Sequence, residues 1–173
     1  TGVNDDVDDG DTAYSILTAA AVSSDPRYSG LNPPDVAVTN TNDDVAGILV
    51  EPTSGLVTSE AGATATFSVR LQSQPTANVT IGLASSNTTE GVPSANSLVF
   101  TPTNWNLPQT VTVTGANDDV DDDDVAYAIL TAAAVSSDVR YNGLNPSDVA
   151  VVNQRDDNDV AGITLTASSP YAL

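Results

Sequence analysis

The chain has 173 residues, 40% of them hydrophobic, with a net charge of −19, four Arg, and no Lys, His, Cys or Met. This balance excludes nucleic acid as a natural partner, because a phosphate backbone is bound by basic patches. It also excludes disulfide and thiolate chemistry, removes the commonest general base and transition-metal ligand, and leaves no apolar run near the roughly 18 residues a membrane-spanning helix needs.

The first stretch, Thr1-Gly-Val-Asn-Asp-Asp-Val-Asp-Asp-Gly-Asp11, is an acidic run. It recurs as Thr114-Gly-Ala-Asn-Asp-Asp-Val-Asp-Asp-Asp-Asp124. The match extends without a gap from Thr1–Asn40 to Thr114–Asn153, with eight differences in forty positions. It resumes as Asp44-Val-Ala-Gly-Ile48 against Asp159-Val-Ala-Gly-Ile163, so the repeat is 113–115 residues, the size of a domain. The phase predicts the C-terminal part of a preceding repeat at 1–44 and one complete repeat at 45–159. Residues 160–173 are then the first strand of a following repeat, or a donated strand. Rear strands alone bury no face. With no Met in the chain, Thr1 is not expected to be a translation start. The chain is expected to be a window on a longer tandem array. The alternative is strand addition between neighbouring chains, head-to-tail into an open filament.

Within 45–159 the pattern is β throughout. Ala46–Glu51 is a short apolar strand closed by Pro52, and Leu56–Glu60 follows the Thr53-Ser-Gly55 turn. Thr64–Gln72 alternates strictly, with Ala65, Phe67, Val69 and Leu71 on the inner face. Asn78–Ala84 repeats this with Val79, Ile81 and Leu83. Ser85–Ser94 reads as a polar loop containing Glu90. Leu98–Thr101 and Gln109–Gly115 are strands, and the only Trp, Trp105, lies between them as a plug for a sandwich end. Val125–Val135 reads as one strand, since Tyr127, Ile129 and Thr131 alternate with Ala126, Ala128 and Leu130 and no capping box precedes it. Ser136–Ser147 is a long loop, and Val149–Val152 is the last strand. About seven short strands with frequent turns predict an all-β fold, antiparallel sandwich repeats of immunoglobulin-like type.

The acidic runs carry the chemistry. Two like charges about 4 Å apart repel by roughly 4 kcal/mol at an effective dielectric near 20. Four Arg cannot neutralise such runs. A hard divalent cation can, and Ca2+ is the natural choice because it accepts several oxygen ligands in a flexible shell. Candidate ligands are Asp118, Asp119, Asp121, Asp122 and Asp123, and in the first copy Asp5, Asp6, Asp8 and Asp9. An EF-hand is excluded, because Val7 and Ile16 fall on ligand positions. No nucleophile–base arrangement exists, so no catalysis is expected. Asn78-Val-Thr80 and Asn87-Thr-Thr89 are N-glycosylation triplets, which also arise by chance in a Thr-rich chain.

The order of motifs resembles the Calx-beta domain in the divergent form found as tandem repeats in large bacterial surface proteins. The motifs are Ser59-Glu60-Ala61-Gly62 before an alternating strand, Leu98-Val-Phe-Thr-Pro102, Gln109-Thr-Val-Thr-Val-Thr114 leading to Asp118-Asp119, and a terminal Asp156-Asp157. The resemblance implies a seven-stranded sandwich that binds calcium at one end. It assigns ligand roles to Glu60, Asp118, Asp119, Asp122 or Asp123, Asp156 and Asp157. In the first copy it assigns them to Asp5, Asp6, Asp9, Asp43 and Asp44. The chain departs from the family pattern after the Asp pair, where a glutamate is common. A strand end at Gly115–Asp119, the repeat's exit at Asp156–Asp159 and the Glu60 turn can share one pole of a sandwich.

These features predict a non-catalytic structural repeat of an extracellular or cell-surface fibre, filament or adhesin stalk, rigidified by calcium at inter-domain acidic clusters. Its partners are neighbouring copies or repeats of itself, with no nucleic acid and no membrane insertion. The rival expectation is a carbohydrate- or surface-binding adhesin module using the 85–95 or 136–147 loops.

Overall fold

The computed structural model describes residues 1–118, 120, 123–155 and 162–163. Twelve strands are present among them. A hairpin, β1 (Thr12–Ile16) and β2 (Val36–Asn40), precedes a two-sheet sandwich. One sheet has four strands in the order β3 (Ile48–Glu51), β5 (Thr64–Leu71), β9 (Gln109–Gly115), β7 (Gly91–Pro93). The other runs β11 (Val135–Ser136), β6 (Val79–Ser85), β10 (Val125–Thr131), β12 (Val149–Gln154), β4 (Leu56–Ser59), with β8 (Ser97–Phe100) also paired to β6. All pairings are antiparallel except β12 with β4. This is an immunoglobulin-like β-sandwich.

The alternating residues fill the space between the sheets. Phe67, Val69 and Leu71 from β5, Val79 and Ile81 from β6, Val111 and Val113 from β9, and Ile129 from β10 are all buried. Trp105 packs against this core, and its carbonyl accepts the Leu71 N–H at 3.0 Å. Two details differ from the sequence expectation. Residues 91–93 form a short strand against β9 where a polar loop is expected, because three residues are too few to display an alternation. The strand starting at Val125 stops at Thr131 and resumes at Val135. There the Thr131 N–H and hydroxyl turn to Asp148 instead of continuing the ladder.

Call the end of the sandwich where β4, β9 and β12 finish the upper pole, and the opposite end the lower pole. The lower pole is closed by the 136–143 loop. Tyr141, buried there, donates its hydroxyl to the Ser73 carbonyl at 2.6 Å and accepts the Ser73 N–H at 3.0 Å. Asp138, also buried, accepts N–H groups from Thr76 at 2.8 Å and from Arg140 at 2.9 Å. Burial opposes its ionisation, but these donors outweigh burial and hold the carboxyl below the usual carboxylate range.

The hairpin is a copy of β10 and β12 without a cover. Thr12↔Asn40 through Ile16↔Val36 matches Val125↔Asn153 through Ile129↔Val149 in register. The loop contacts are also reproduced: Thr18 N–H to Asp35 parallels Thr131 N–H to Asp148, and Ala21 N–H to Leu31 parallels Ala134 N–H to Leu144. Burial is not reproduced. Ile129 is 0% exposed and its equivalent Ile16 is 51% exposed; Tyr141 is 1% exposed and Tyr28 is 61% exposed. The local sequence therefore sets the hairpin, and the opposing sheet sets the burial.

Ile129→Ala is expected to cost the sandwich about 3 kcal/mol through the cavity it leaves. The same change at Ile16 should cost less than about 1 kcal/mol. Urea unfolding followed by Trp105 fluorescence checks this; equal costs would mean that the hairpin face is packed in solution. Asp138→Asn should cost about 2 kcal/mol at pH 7 by weakening charge-assisted hydrogen bonds. A carboxyl with a lowered folded pKa stabilises above the ordinary value of about 3.9 and loses that contribution as pH falls through the lowered value. The deficit of Asp138→Asn should therefore shrink when unfolding is repeated near pH 3.

Candidate metal centre

The upper pole gathers acidic residues because several strand ends meet there. The parallel pairing of β4 and β12 brings Glu60 beside the chain's exit, with the Glu60 N–H donating to the Gln154 carbonyl at 3.0 Å. Antiparallel pairing of β7 and β9 places Gly91 opposite Gly115, and the Ala116 N–H then donates to the Glu90 carbonyl at 2.9 Å. A Cβ at Gly115 would overlap the Ser59 carbonyl oxygen, and one at Gly91 the Tyr127 hydroxyl. Glycine at these two positions lets the strand ends close on each other.

Beneath the pole lies a buried polar network. Thr58 donates its hydroxyl to the Asn153 side-chain carbonyl at 2.9 Å and meets the Tyr127 hydroxyl at 3.1 Å. The Asn153 amide donates to Glu90 Oε2 at 3.3 Å and to the Ala116 carbonyl at 3.1 Å. Burial pushes the Tyr127 phenol up; the Thr58 hydrogen bond partly offsets this and the Glu90 charge adds to it. Glu90 is only 5% exposed. Its side-chain partners among the described residues are neutral, the Asn153 amide and, at 3.5 Å, the Thr89 hydroxyl. A buried carboxylate in such company is stabilised by a cation. Glu90 looks in the sequence like a solvated loop residue. The available signal was its rarity, since the chain has three glutamates, and its place immediately before a strand glycine.

Of the sequence-derived ligands at this pole, Glu60 is buried, Asp118 is half-buried and Asp123 is exposed. Asp118 Oδ1 caps the following turn by accepting the Val120 N–H at 2.9 Å. Asp124 Oδ1 accepts the Arg155 N–H at 3.3 Å, tying the acidic run to the exit from β12. Asp119, Asp121, Asp122, Asp156, Asp157 and Asp159 lie outside the described residues. Among the described residues, no three acidic side chains form a group that could hold a metal ion.

The first copy shows the same local geometry. Asp5 Oδ1 accepts the Val7 N–H at 3.0 Å, Asp11 Oδ1 accepts the Asn42 N–H at 3.0 Å, and the Asn40 amide donates to the Val3 carbonyl at 3.0 Å. These bonds parallel those of Asp118, Asp124 and Asn153. Here a cavity of about 440 Å3 is lined by Asp5, Asp9, Asp43 and Asp44 together with Tyr14 and Asn40. The Asp44 carboxyl is pushed above the usual carboxylate range, first by lost hydration and then by Asp43, Asp6, Asp5 and Asp8. Two segments about as far apart in sequence as the hairpin is long thus bring their charges together. Asp6 and Asp8 do not line this cavity. Asp8 Oδ2 accepts the Ala46 N–H at 2.9 Å, and Asp8 Oδ1 lies 3.6 Å from Arg140 Nε at the lower pole of the sandwich. The donor set around both acidic ends is oxygen only, which suits a hard cation and not a transition metal.

The glycosylation triplets differ from each other. Asn78 is exposed beside β6. Asn87 is half-buried, and its side-chain oxygen accepts the Thr89 N–H and hydroxyl at 3.2 and 2.8 Å, so it shapes the turn that delivers Glu90.

No protein-family model and no curated protein matches the sequence. Among solved structures, the chain is similar to the apo form of the Calx CBD1 domain, with a TM-score of 0.50 and 18% identity over 66% of this chain and 100% of that one. It is also similar to the calcium binding domain CBD12 of CALX1.1, with a TM-score of 0.48 and 19% identity over 64% of this chain and 45% of that one. CBD12 from CALX1.2 gives a TM-score of 0.46 and 21% identity, with the same two coverages. At these identities the likeness concerns the fold: the sandwich shares the Calx-beta architecture, of immunoglobulin-like type.

Proposed function

We propose that this chain is a non-catalytic structural module of an extracellular filament or adhesin stalk, in which calcium bound at the acidic poles stiffens the junctions between successive sandwiches. One observation carries the reading. Acidic residues from two separate segments, 5–9 and 43–44, converge at the end of the hairpin that abuts the next sandwich, where lost hydration and then repulsion from the neighbouring aspartates raise the Asp44 carboxyl. A cation between them would convert that repulsion into a bridge. In the first copy Asp5, Asp9, Asp43 and Asp44 line one cavity without forming a ligand group in this structure, and would draw together around the ion. In the second, Glu60, Glu90 and Asp118 would do so with the acidic residues that follow in sequence. Calcium supplies positive charge and a flexible oxygen shell; the protein supplies the spacing of the carboxylates.

The tandem arrangement has its own support. The hairpin 12–40 presents the same apolar face that β10 and β12 bury against the opposing sheet. A front half-sandwich of the 45–115 kind fits it.

Calorimetric titration of the full chain with CaCl2 should show binding that is lost in Asp5→Asn/Asp44→Asn at the first pole. X-ray scattering should give a longer, stiffer particle in calcium than in chelator, and proteolysis in chelator should fall at 116–124. Identical scattering and cleavage with and without calcium would remove the reading. Glu90→Gln should weaken calcium binding at the second pole by about tenfold, on the order of 1.4 kcal/mol. In chelator it should stabilise the sandwich, because it removes a buried charge; this second readout separates the ligand role from a packing role.

A further inference from the structure

We propose that the acidic run has two working faces, and that Asp8 and Arg140 form a metal-independent latch between one repeat and the next. The faces are distinguished by position. Asp5 and Asp9 line the cavity beside the hairpin, together with Asp43 and Asp44. Asp8 does not line that cavity. Both of its carboxylate oxygens are engaged by the following sandwich: Oδ2 accepts the Ala46 N–H at 2.9 Å, and Oδ1 lies 3.6 Å from Arg140 Nε. Two residues earlier, the Asp6 carbonyl accepts the Gln74 N–H at 2.6 Å. The tip of the run therefore touches the segment before β3, the segment after β5 and the loop before β12 at once.

The pair is suited to reversible docking. The Asp8 side chain is 15% exposed and that of Arg140 is 48% exposed, so the ion pair is only partly shielded from water. Arg140 is held in place by its own loop, where its N–H donates to the buried Asp138 carboxylate at 2.9 Å. In a chain of net charge −19 with four Arg, the pair sets one of the few cations against the acidic tip. It serves a different purpose from calcium, since it needs no metal and spends an aspartate that the cavity does not use.

The repeat generalises the contact. Arg27 stands where Arg140 does, and Asp121 stands where Asp8 does. Each unit then carries an acidic tip at one end and a receiving arginine at the other. The tip of one unit fits the arginine face of the next, which gives head-to-tail polarity. The extension from this chain to neighbouring copies rests on the tandem reading proposed above; the latch within the chain does not.

The chain has no Cys, so Val22→Cys and Val99→Cys provide two unique spin-label sites, one on the hairpin and one on the sandwich. Interspin distances are measured in excess chelator. The parent should show one dominant docked distance. Arg140→Gln should lower the docked-to-undocked ratio about threefold, the size expected of a half-exposed ion pair. Asp8→Asn, which keeps an acceptor for Ala46, should do the same. The two changes combined should add nothing further, because they remove one shared interaction. High salt should mimic them, and Trp105 fluorescence should stay constant, showing that the sandwich is folded. An unchanged distribution in Arg140→Gln overturns the latch. A parent that is docked only after calcium is added also overturns the latch while leaving the calcium reading standing. A parent that is docked in chelator and indifferent to calcium supports the latch and removes the calcium reading.

Discussion

Repulsion between aspartates is the constraint on which the arrangement depends. Asp5, Asp6 and Asp8 come from one segment and Asp43 and Asp44 from another, and they meet where the hairpin touches the next sandwich. Each close pair costs up to a few kcal/mol unless something positive intervenes. The structure supplies part of the answer itself. Asp8 is neutralised by Arg140 and a backbone N–H, and Asp5, Asp11, Asp118 and Asp124 each accept a backbone N–H from nearby turns. Asp5, Asp9, Asp43 and Asp44 face a cavity with no positive side chain in its lining. This end of the hairpin is thus assembled from groups that resist being together.

The two copies of the hairpin separate local from tertiary causes. Forty aligned positions with eight differences give the same register, the same Asx-type turns and the same loop bonds at 12–40 and 125–153. Backbone hydrogen bonding and turn chemistry suffice for this. Burial needs a partner: β5 and β9 must lie across the sheet before Tyr127, Ile129 and Tyr141 leave water. The same contrast holds at the pole. The Asn40 and Asn153 amides both reach back to the carbonyl three residues into the acidic stretch, but only Asn153 has Glu90 and Thr58 to complete a network.

Most of the strands were legible because alternation at period two is a direct record of a half-buried face. Phe67, Val69 and Leu71, or Val111 and Val113, could only be inner residues of a sheet. The acidic runs stood out in the sequence because their density has no structural excuse, and the proposed site rests on them. Three residues of the proposed sites were not legible. Glu90 sits in a polar loop whose burial arises from Gly91 closing on Gly115. Asn153 looks like the end of an ordinary strand. Arg140 lies in a long loop, and nothing local distinguishes a solvated arginine from one aimed at Asp8, more than a hundred residues away in sequence.

The sequence by itself determined the β class, the period of the repeat, the inner faces of the long strands and the presence of an oxygen-rich acidic run. All of these follow from short-range spacing, which a linear chain displays directly. Only the tertiary structure decided which carboxylates share a cavity and which one is taken by an arginine. Within the acidic run, adjacent aspartates have the same chemistry; what separates Asp8 from Asp9 is the surface each one meets, and that surface exists only after the neighbouring sandwich has folded.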